Sequence, residues 1–405
     1  MNEKSLEQAG NLFTYINQKC QCLIDIMHDE NAVEHYTLKI KANPNKFYKY
    51  AYAPIDGLLM INQKSGAIIK DTKVVEDFLS MKFSDINSIS TFIEKYGFFL
   101  PVSDRTFTEI PVDDITPILY RFKILVTLMS ELGKTSYDYN TLLLGALRLI
   151  LQLPRRFEVA STQAIVETCP HPLTVMWYNP SNVLEKDNFV DTQTNDPYEN
   201  YYLITDSFTG KDEHLDYITY NEDVGNMDTE DYDYSDSHYI LNRLTFFYRN
   251  ADFEMPEDKL IIDFIYHFNK EISRIESISP NGVLKFSKKI DLNTEPKFTE
   301  HYKKSLVTVV RHVIKEELDH ALFSIRPIYN IETMSPSWEI PDLITALYFS
   351  LFYMRPNYEI YRQCANPNCN RLFRVKTTNS KQLYHDTSCQ NAAAQMRHRK
   401  KSQVK

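Results

Sequence analysis

The sequence predicts an α+β protein. It divides into a mixed N-terminal domain (1–155), a connecting region with an acidic insertion (156–245), a mainly helical domain (246–360) and a small cysteine-bearing module (361–405). Three observations predict this. Alternating, aromatic-rich stretches fall within the first seventy residues, and 3.6-residue apolar periodicity dominates the helical segments after them. Three of the six cysteines gather in the last forty-two residues.

A chain of 405 residues is long for one core and suits two or three domains. With 43% hydrophobic and 24% charged residues it has the composition of an ordinary globular protein. Nine glycines leave little material for Gly-rich nucleotide loops. The polar start (Met1 to Gln8) lacks the apolar core of a secretory signal, and the most apolar run, 142–153, contains Arg148 and is too short to span a bilayer. A cytoplasmic protein is therefore expected, with its cysteines suited to metal binding rather than a disulfide framework. The net charge of −9 hides a division, because residues 364–405 carry +8 and residues 1–363 carry −17. An acidic body with a basic, anion-seeking tail follows.

Taken in order, residues 11–29 read as a helix with Leu12, Ile16, Leu23 and Ile26 on a stripe. Residues 35–41 alternate and 47–52 are aromatic-rich, so both read as strands. Leu58 to Ile61 and Ala67 to Ile69 flank Lys64-Ser65-Gly66, a hairpin-turn sequence. Asp113-Asp114 precede an amphipathic helix bearing Ile118, Leu119, Phe122, Leu125, Met129 and Leu132, which stops at Gly133. Asn140 is placed to cap the next helix and Pro154 to end it. Between about 182 and 238 apolar periodicity is weak. From Asp212 to Asp236 there are ten acidic residues and no Lys or Arg, interleaved with tyrosines, so the whole region is predicted to be a solvated insertion or long loop. Helical pattern resumes at 301–323, with Leu306, Val309, Val310, Val313, Leu318 and Leu322 on one face. Pro341-Asp342 opens a last body helix that buries Leu343, Ile344, Leu347, Leu351 and Phe352, and Pro356 stops it.

The tail carries the clearest chemistry. Cys364 and Cys369 pair across Ala365-Asn366-Pro367-Asn368, a turn sequence. A short strand over 372–375 turns Phe373 inward. His385 and Cys389 form a second pair where a final helix starts, with Asp386, Thr387 or Ser388 as its cap and Ala392 to Ala394 favouring its propagation. Zinc takes four tetrahedral Cys and His ligands, often in two close pairs. Four protein ligands make a closed site, so one structural Zn2+ is expected rather than a catalytic one. A segment this small buries little apolar surface, and the metal would supply much of its folding energy.

The pattern Cys364-x4-Cys369-x-Arg371-x-Phe373, followed by Tyr384-His385 and Cys389-Gln390-Asn391, resembles the bacterial CGNR-type zinc finger, a treble-clef-like module. The stretches from Val313 to Leu318 and from Trp338 to Tyr348 are similar to the body that precedes such fingers, so the resemblance covers roughly residues 300–400. The family's Gly and Arg after the last cysteine are Gln390 and Ala392 here. His385 stands where the family has Cys, at a shorter spacing. The resemblance implies DNA binding and a role in transcription regulation.

Phosphate neutralisation underlies most nucleic-acid affinity. The residues suited to it are Arg371, Arg374, Lys376, Arg397, Arg399, Lys400 and Lys401. The expected function is nucleic-acid binding in a regulatory or accessory role, with the acidic body as a sensor or partner domain and the acidic insertion as a further protein-binding segment. Enzyme signals weigh less. Gly133-Lys134-Thr135 lacks the first phosphate-loop Gly, where Leu128 stands. Glu317 and His320, with His312 and Glu316, read as a surface ion-pair face. Cys169-Pro170-His171 reads as a turn. Cys20 and Cys22 fall on different faces of the predicted helix, as buried or inert thiols. Asp231, Asp233 and Ser235 lack the Gly and Glu of a calcium loop. Two alternatives remain open: an enzyme with its site in 1–360 and the finger for targeting, or a protein-interaction module.

Overall fold

The computed structural model describes residues 13–28, 34–53, 57–62, 68–69, 73–152, 156–159, 162–167, 189–225, 244–245, 247–249, 255–278, 283–331, 334–354, 359–369, 371–376 and 381–403. The fold is α+β, as expected. An antiparallel sheet opens it, with β1 (Thr14–His28), β2 (Glu34–Ala53) and β3 (Gly57–Ile61) in that order. Helices α1 (Val74–Ser80) and α2 (Ile86–Tyr96) lead to β4 (Thr108–Pro111), which pairs with β2 over Thr37 to Ile40, and to α3 (Val112–Leu132). Next come α4 (Tyr139–Leu151) and the β5 (Arg156–Val159) and β6 (Ala164–Glu167) hairpin. A small sheet of β7 (Phe189–Val190), β8 (Tyr201–Asp206) and β9 (Lys211–Asp216) runs into α5 (Tyr217–Gly225). Then α6 (Pro256–His267) continues into a π-helical turn (Phe268–Ile272) and the hairpin of β10 (Ile275–Ile278) and β11 (Leu284–Phe286). Helix α7 (Glu300–Leu322), the hairpin of β12 (Arg326–Asn330) and β13 (Ser335–Glu339), and α8 (Leu343–Phe352) follow. The chain closes with β14 (Glu359–Gln363), β15 (Leu372–Lys376) and α9 (Thr387–Gln403).

Two compact units result, neither continuous in sequence. The first comprises Met1–Thr135, Arg155–Thr168 and Glu317–Lys405; the second comprises Ser136–Pro154 and Cys169–Glu316.

In the first unit, the segment expected to be the opening helix is β1 instead. Tyr15, Asn17, Cys20 and Cys22 point inward, while Ile16, Leu23 and Ile26 are exposed. A register shift between Gln18 and Cys20 re-phases the alternation, which hid the period of two behind an apparent helical stripe. Long pairing with β2 then overrides the weak local pattern. Cys20 and Cys22 therefore share one buried face, a second correction. Burial pushes the Cys20 thiol up to about 11 and raises that of Cys22. Asn17 ties the sheet to the end of α2 by donating from Nδ2 to the carbonyls of Tyr96 (3.2 Å) and Phe98 (2.9 Å). Between those two carbonyls lies Gly97, at φ 82°, where an added Cβ would collide with the Gln18 carbonyl oxygen and the Asn17 amide.

Aromatic rings fill the interior of this unit, with Phe122 5.0 Å from Phe78 and 5.1 Å from Tyr348. Beside them lies a buried ion pair. Arg121 donates from Nε to Glu317 Oε1 (3.0 Å) and from Nη2 to Glu317 Oε2 (2.5 Å), and Tyr348 donates to Oε1 (3.1 Å). Glu317 is only 4% exposed, so the expected surface role for it is wrong: α3 supplies a cation that sequence spacing on one helix cannot reveal. Helix α8 starts later than expected. Asp342 is its N-cap, accepting from the Thr345 amide at 2.8 Å, so Pro341 precedes the helix instead of sitting in its first turn. Phe352 is exposed rather than buried.

The second unit caps α4 with Asp138, which accepts from the Asn140 amide, rather than with Asn140 itself. Within the region expected to be a solvated loop, residues 189–190, 201–206 and 211–225 form β7, β8, β9 and α5. Strand β9 lies at a sheet edge with Lys211 to His214 exposed and Leu215 buried, so its polarity is that of an edge strand. Residues 226–236 of the acidic segment, Lys64 to Gly66 and Cys169 to His171 lie outside the described residues. At the unit's centre, Asp206 is fully buried. His267 Nε2 (2.6 Å) and the Tyr248 hydroxyl (2.8 Å) meet its Oδ2, and the Phe208 and Thr209 amides donate to its Oδ1 at 2.8 Å. Burial works to raise this carboxyl, but those bonds outweigh it and hold it well below the ordinary range.

Removing one partner of the Arg121–Glu317 pair leaves a buried charge uncompensated. Glu317→Ala is expected to destabilise the protein by about 3–5 kcal/mol in urea unfolding, and the double variant Arg121→Met, Glu317→Leu to recover most of that loss. Equal destabilisation by both variants would show that packing, not charge burial, sets the cost.

Candidate metal centre

The C-terminal finger grows from the β14–β15 hairpin, in which Gln363 pairs with Leu372. Strand β14 docks on α3, the Tyr361 amide donating to the Ser130 hydroxyl at 3.2 Å. Immediately after it, the Cys364 amide donates to the Arg371 carbonyl (2.9 Å) and the Cys369 amide to the Asn366 carbonyl (2.8 Å). Asn366 Oδ1 accepts from the Asn368 amide at 3.1 Å, which makes an Asx turn. This knuckle brings the first two thiols together. The Ala365 amide donates to the Leu383 carbonyl at 2.8 Å and draws the second ligand segment alongside. Phe373 and Val375 are buried against Cys364, with Cys369, Tyr384 and Cys389 packed around them.

Asp386 starts α9. Its Oδ1 accepts from the Cys389 amide (2.7 Å) and the Ser388 hydroxyl (2.8 Å), the expected N-terminal cap. Its Oδ2 lies 2.9 Å from His385 Nε2. A carboxylate on one ring nitrogen orients a metal-binding histidine, leaving the other nitrogen for the ion. That other atom, Nδ1, lies 3.6 Å from Cys369 Sγ. Sequence spacing marked Asp386 as a cap only. Its second task follows from sitting next to the ligand histidine.

The ligand atoms of Cys364, Cys369, His385 and Cys389 all lie within 4.8 Å of one another. Tetrahedral zinc with Zn–S of about 2.3 Å and Zn–N of about 2.0–2.1 Å sets ligand edges of roughly 3.5–3.8 Å. The sulfur–nitrogen edge meets this, and the cluster fits a zinc site. Burial works to raise the Cys364 thiol, but hydrogen bonds from His385 and the Asn366 amide outweigh it and bring the thiol to about 7. Cys389 is pushed up to about 11, by burial first and then by the neighbouring sulfurs. A divalent cation would favour the thiolate at both. Asn366 Nδ2 donates to Cys389 Sγ at 3.5 Å, a partner that the sequence did not single out.

Among the cations expected to meet nucleic acid, Arg371 and Arg397 are exposed. Arg397 Nη2 donates to the Tyr384 hydroxyl at 3.4 Å. Arg374 is half-buried, its Nη1 3.3 Å from where a Cβ on Gly57 would stand. The side chains of Lys376, Arg399, Lys400 and Lys401 lie outside the described residues, although Arg399 to Lys401 belong to α9.

In the second unit, Asp258, His312 and Glu316 also converge. His312 Nε2 lies 3.0 Å from Asp258 Oδ1 and 3.2 Å from Glu316 Oε1. His312 and Asp258 are buried, so the expected surface face does not form there. In the His267 network, Asp206 and Glu271 occupy both ring nitrogens.

The orienting role of Asp386 is testable without losing the cap, because Asn caps nearly as well. Asp386→Asn is expected to weaken zinc binding by about tenfold in a chelator competition, with α9 retained. Cys369→Ser is expected to weaken it further. Unchanged affinity in Cys369→Ser would contradict the assignment.

Among the described residues, no helix is long and apolar enough to cross a membrane. No curated protein and no solved structure matches the chain. The finger itself is recognisable: residues 361–402 match the CGNR zinc finger family.

Proposed function

We propose that the protein binds nucleic acid, DNA in particular, through a finger built on one structural Zn2+, in a regulatory or accessory role in the cytoplasm. The acidic body serves as its sensor or partner domain. One observation carries this reading: α9 ties the metal cluster to the basic run. Cys389 lies in its first turn, Ala393 is buried one turn on, and Arg397 is exposed one turn beyond. The metal thereby fixes the base of the helix, and the cations leave it at the C-terminal end, where they also complement the helix dipole. Charge supports the same reading, with nine Lys or Arg against Asp386 alone over residues 364–405. Four protein ligands leave the ion no open position, so the finger acts as a scaffold.

A single small finger makes few phosphate contacts and reads few bases. Three or four contacts would give a slope of about −3 to −4 in log affinity against log salt for duplex DNA. Fluorescence anisotropy on a labelled duplex is expected to show that slope, and truncation before Arg397 to flatten it and weaken binding. Salt-insensitive binding, or affinity unchanged by truncation, would instead favour a protein-interaction finger.

A further inference from the structure

The end of α6 departs from regular geometry. Residues Phe268–Ile272 form a π-helical turn, closed by the Ser273 amide donating to the Phe268 carbonyl at 3.1 Å. π-Turns of this kind frequently mark functional sites. The chain then returns through the β10–β11 hairpin, and the Ser287 amide donates to the Arg274 carbonyl at 2.9 Å. Between these segments lies a cleft of about 530 Å³, lined by Asn269, Lys270, Ser273, Arg274 and Ser287, with Thr245, Tyr266 and Ile272. That volume suits a small molecule.

The lining is one-sided in its chemistry. Among the described lining residues none is acidic, although residues 1–363 carry a net charge of −17. Lysine, arginine, amide and hydroxyl groups supply donors for an anion. One of those donors is conspicuous. Asn269 is 5% exposed, and its Oδ1 accepts from the Ile275 amide at 2.7 Å. That bond fixes the amide, and Nδ2 has no hydrogen-bond partner among the described residues. A buried donor left unmatched is costly, so a site that retains one is suited to an acceptor from outside.

We propose that this cleft binds the phosphate group of a small phosphate monoester. Arg274 and Lys270 supply the charge, the Asn269 amide and the Ser273 and Ser287 hydroxyls supply neutral donors, and Tyr266 and Ile272 face the organic part. The site lies wholly within the second unit, and the inference does not rest on the nucleic-acid reading of the finger.

The test is thermal unfolding of the full-length, zinc-loaded protein against inorganic phosphate and glycerol 3-phosphate, with sodium chloride at matched ionic strength. Both phosphates are expected to raise the midpoint saturably, the ester at lower concentration, while chloride is not. Asn269→Asp keeps the acceptor for Ile275 and replaces the free donor with a carboxylate oxygen. Lys270→Glu reverses an exposed charge with little risk to folding. Each is expected to weaken phosphate binding at least tenfold, with Arg397→Ala leaving it unchanged. An equal rise with chloride, no rise at all, full binding by Asn269→Asp and Lys270→Glu, or loss through Arg397→Ala would each overturn the proposal. A preference for inorganic phosphate over the ester would overturn the ester as ligand.

Discussion

Convergence of four ligand atoms on one point is the constraint on which the C-terminal architecture depends. The apolar cluster of the finger consists of Cys364, Phe373 and Val375, with only partly buried neighbours around it. So small a core leaves little to offset the entropy of ordering some forty residues. Two of those neighbours, Cys369 and Cys389, belong to the cluster that fits zinc. Metal binding there would supply both the energy and the direction, joining a knuckle after β14 to the first turn of α9. Asp386 serves both ends of that arrangement, capping the helix and holding the ligand histidine.

The finger is anchored to the body of its own unit. Tyr361 is buried in the middle of β14 and bonds to Ser130 of α3, and Arg374 lies against Gly57 of β3. Helix α9 is different, since Ala393 is buried but most of its other described residues are exposed. The base of the helix is fixed, while its described surface, Arg397 included, is mostly exposed. The buried Arg121–Glu317 pair, with the hydroxyl of Tyr348, belongs to the same unit.

The finger was legible in the sequence almost completely, and for a physical reason. Metal ligation imposes short, local spacings, so Cys364, Cys369, His385 and Cys389 could be read in pairs, and Phe373 and the helix cap followed. Helices with long apolar faces, α3 and α7, were legible on the same local grounds. What stayed hidden depends on partners distant in sequence. Strand β1 passed for a helix because a register shift between Gln18 and Cys20 broke its alternation, and only pairing with β2 settles it. Glu317 looked like a surface group until Arg121, 196 residues away, claimed it. The Asp206–His267 network and the cleft beside Asn269 leave no short-range motif at all, since each is assembled from several elements.

Zinc-edge X-ray absorption on the purified full-length protein distinguishes a metal held by three sulfurs and one imidazole nitrogen from any other ligand set. Three sulfur scatterers at about 2.3 Å and one nitrogen at about 2.0–2.1 Å are expected, with the outer-shell scattering of an imidazole ring. Four sulfurs, or a shell dominated by light atoms, would contradict that assignment.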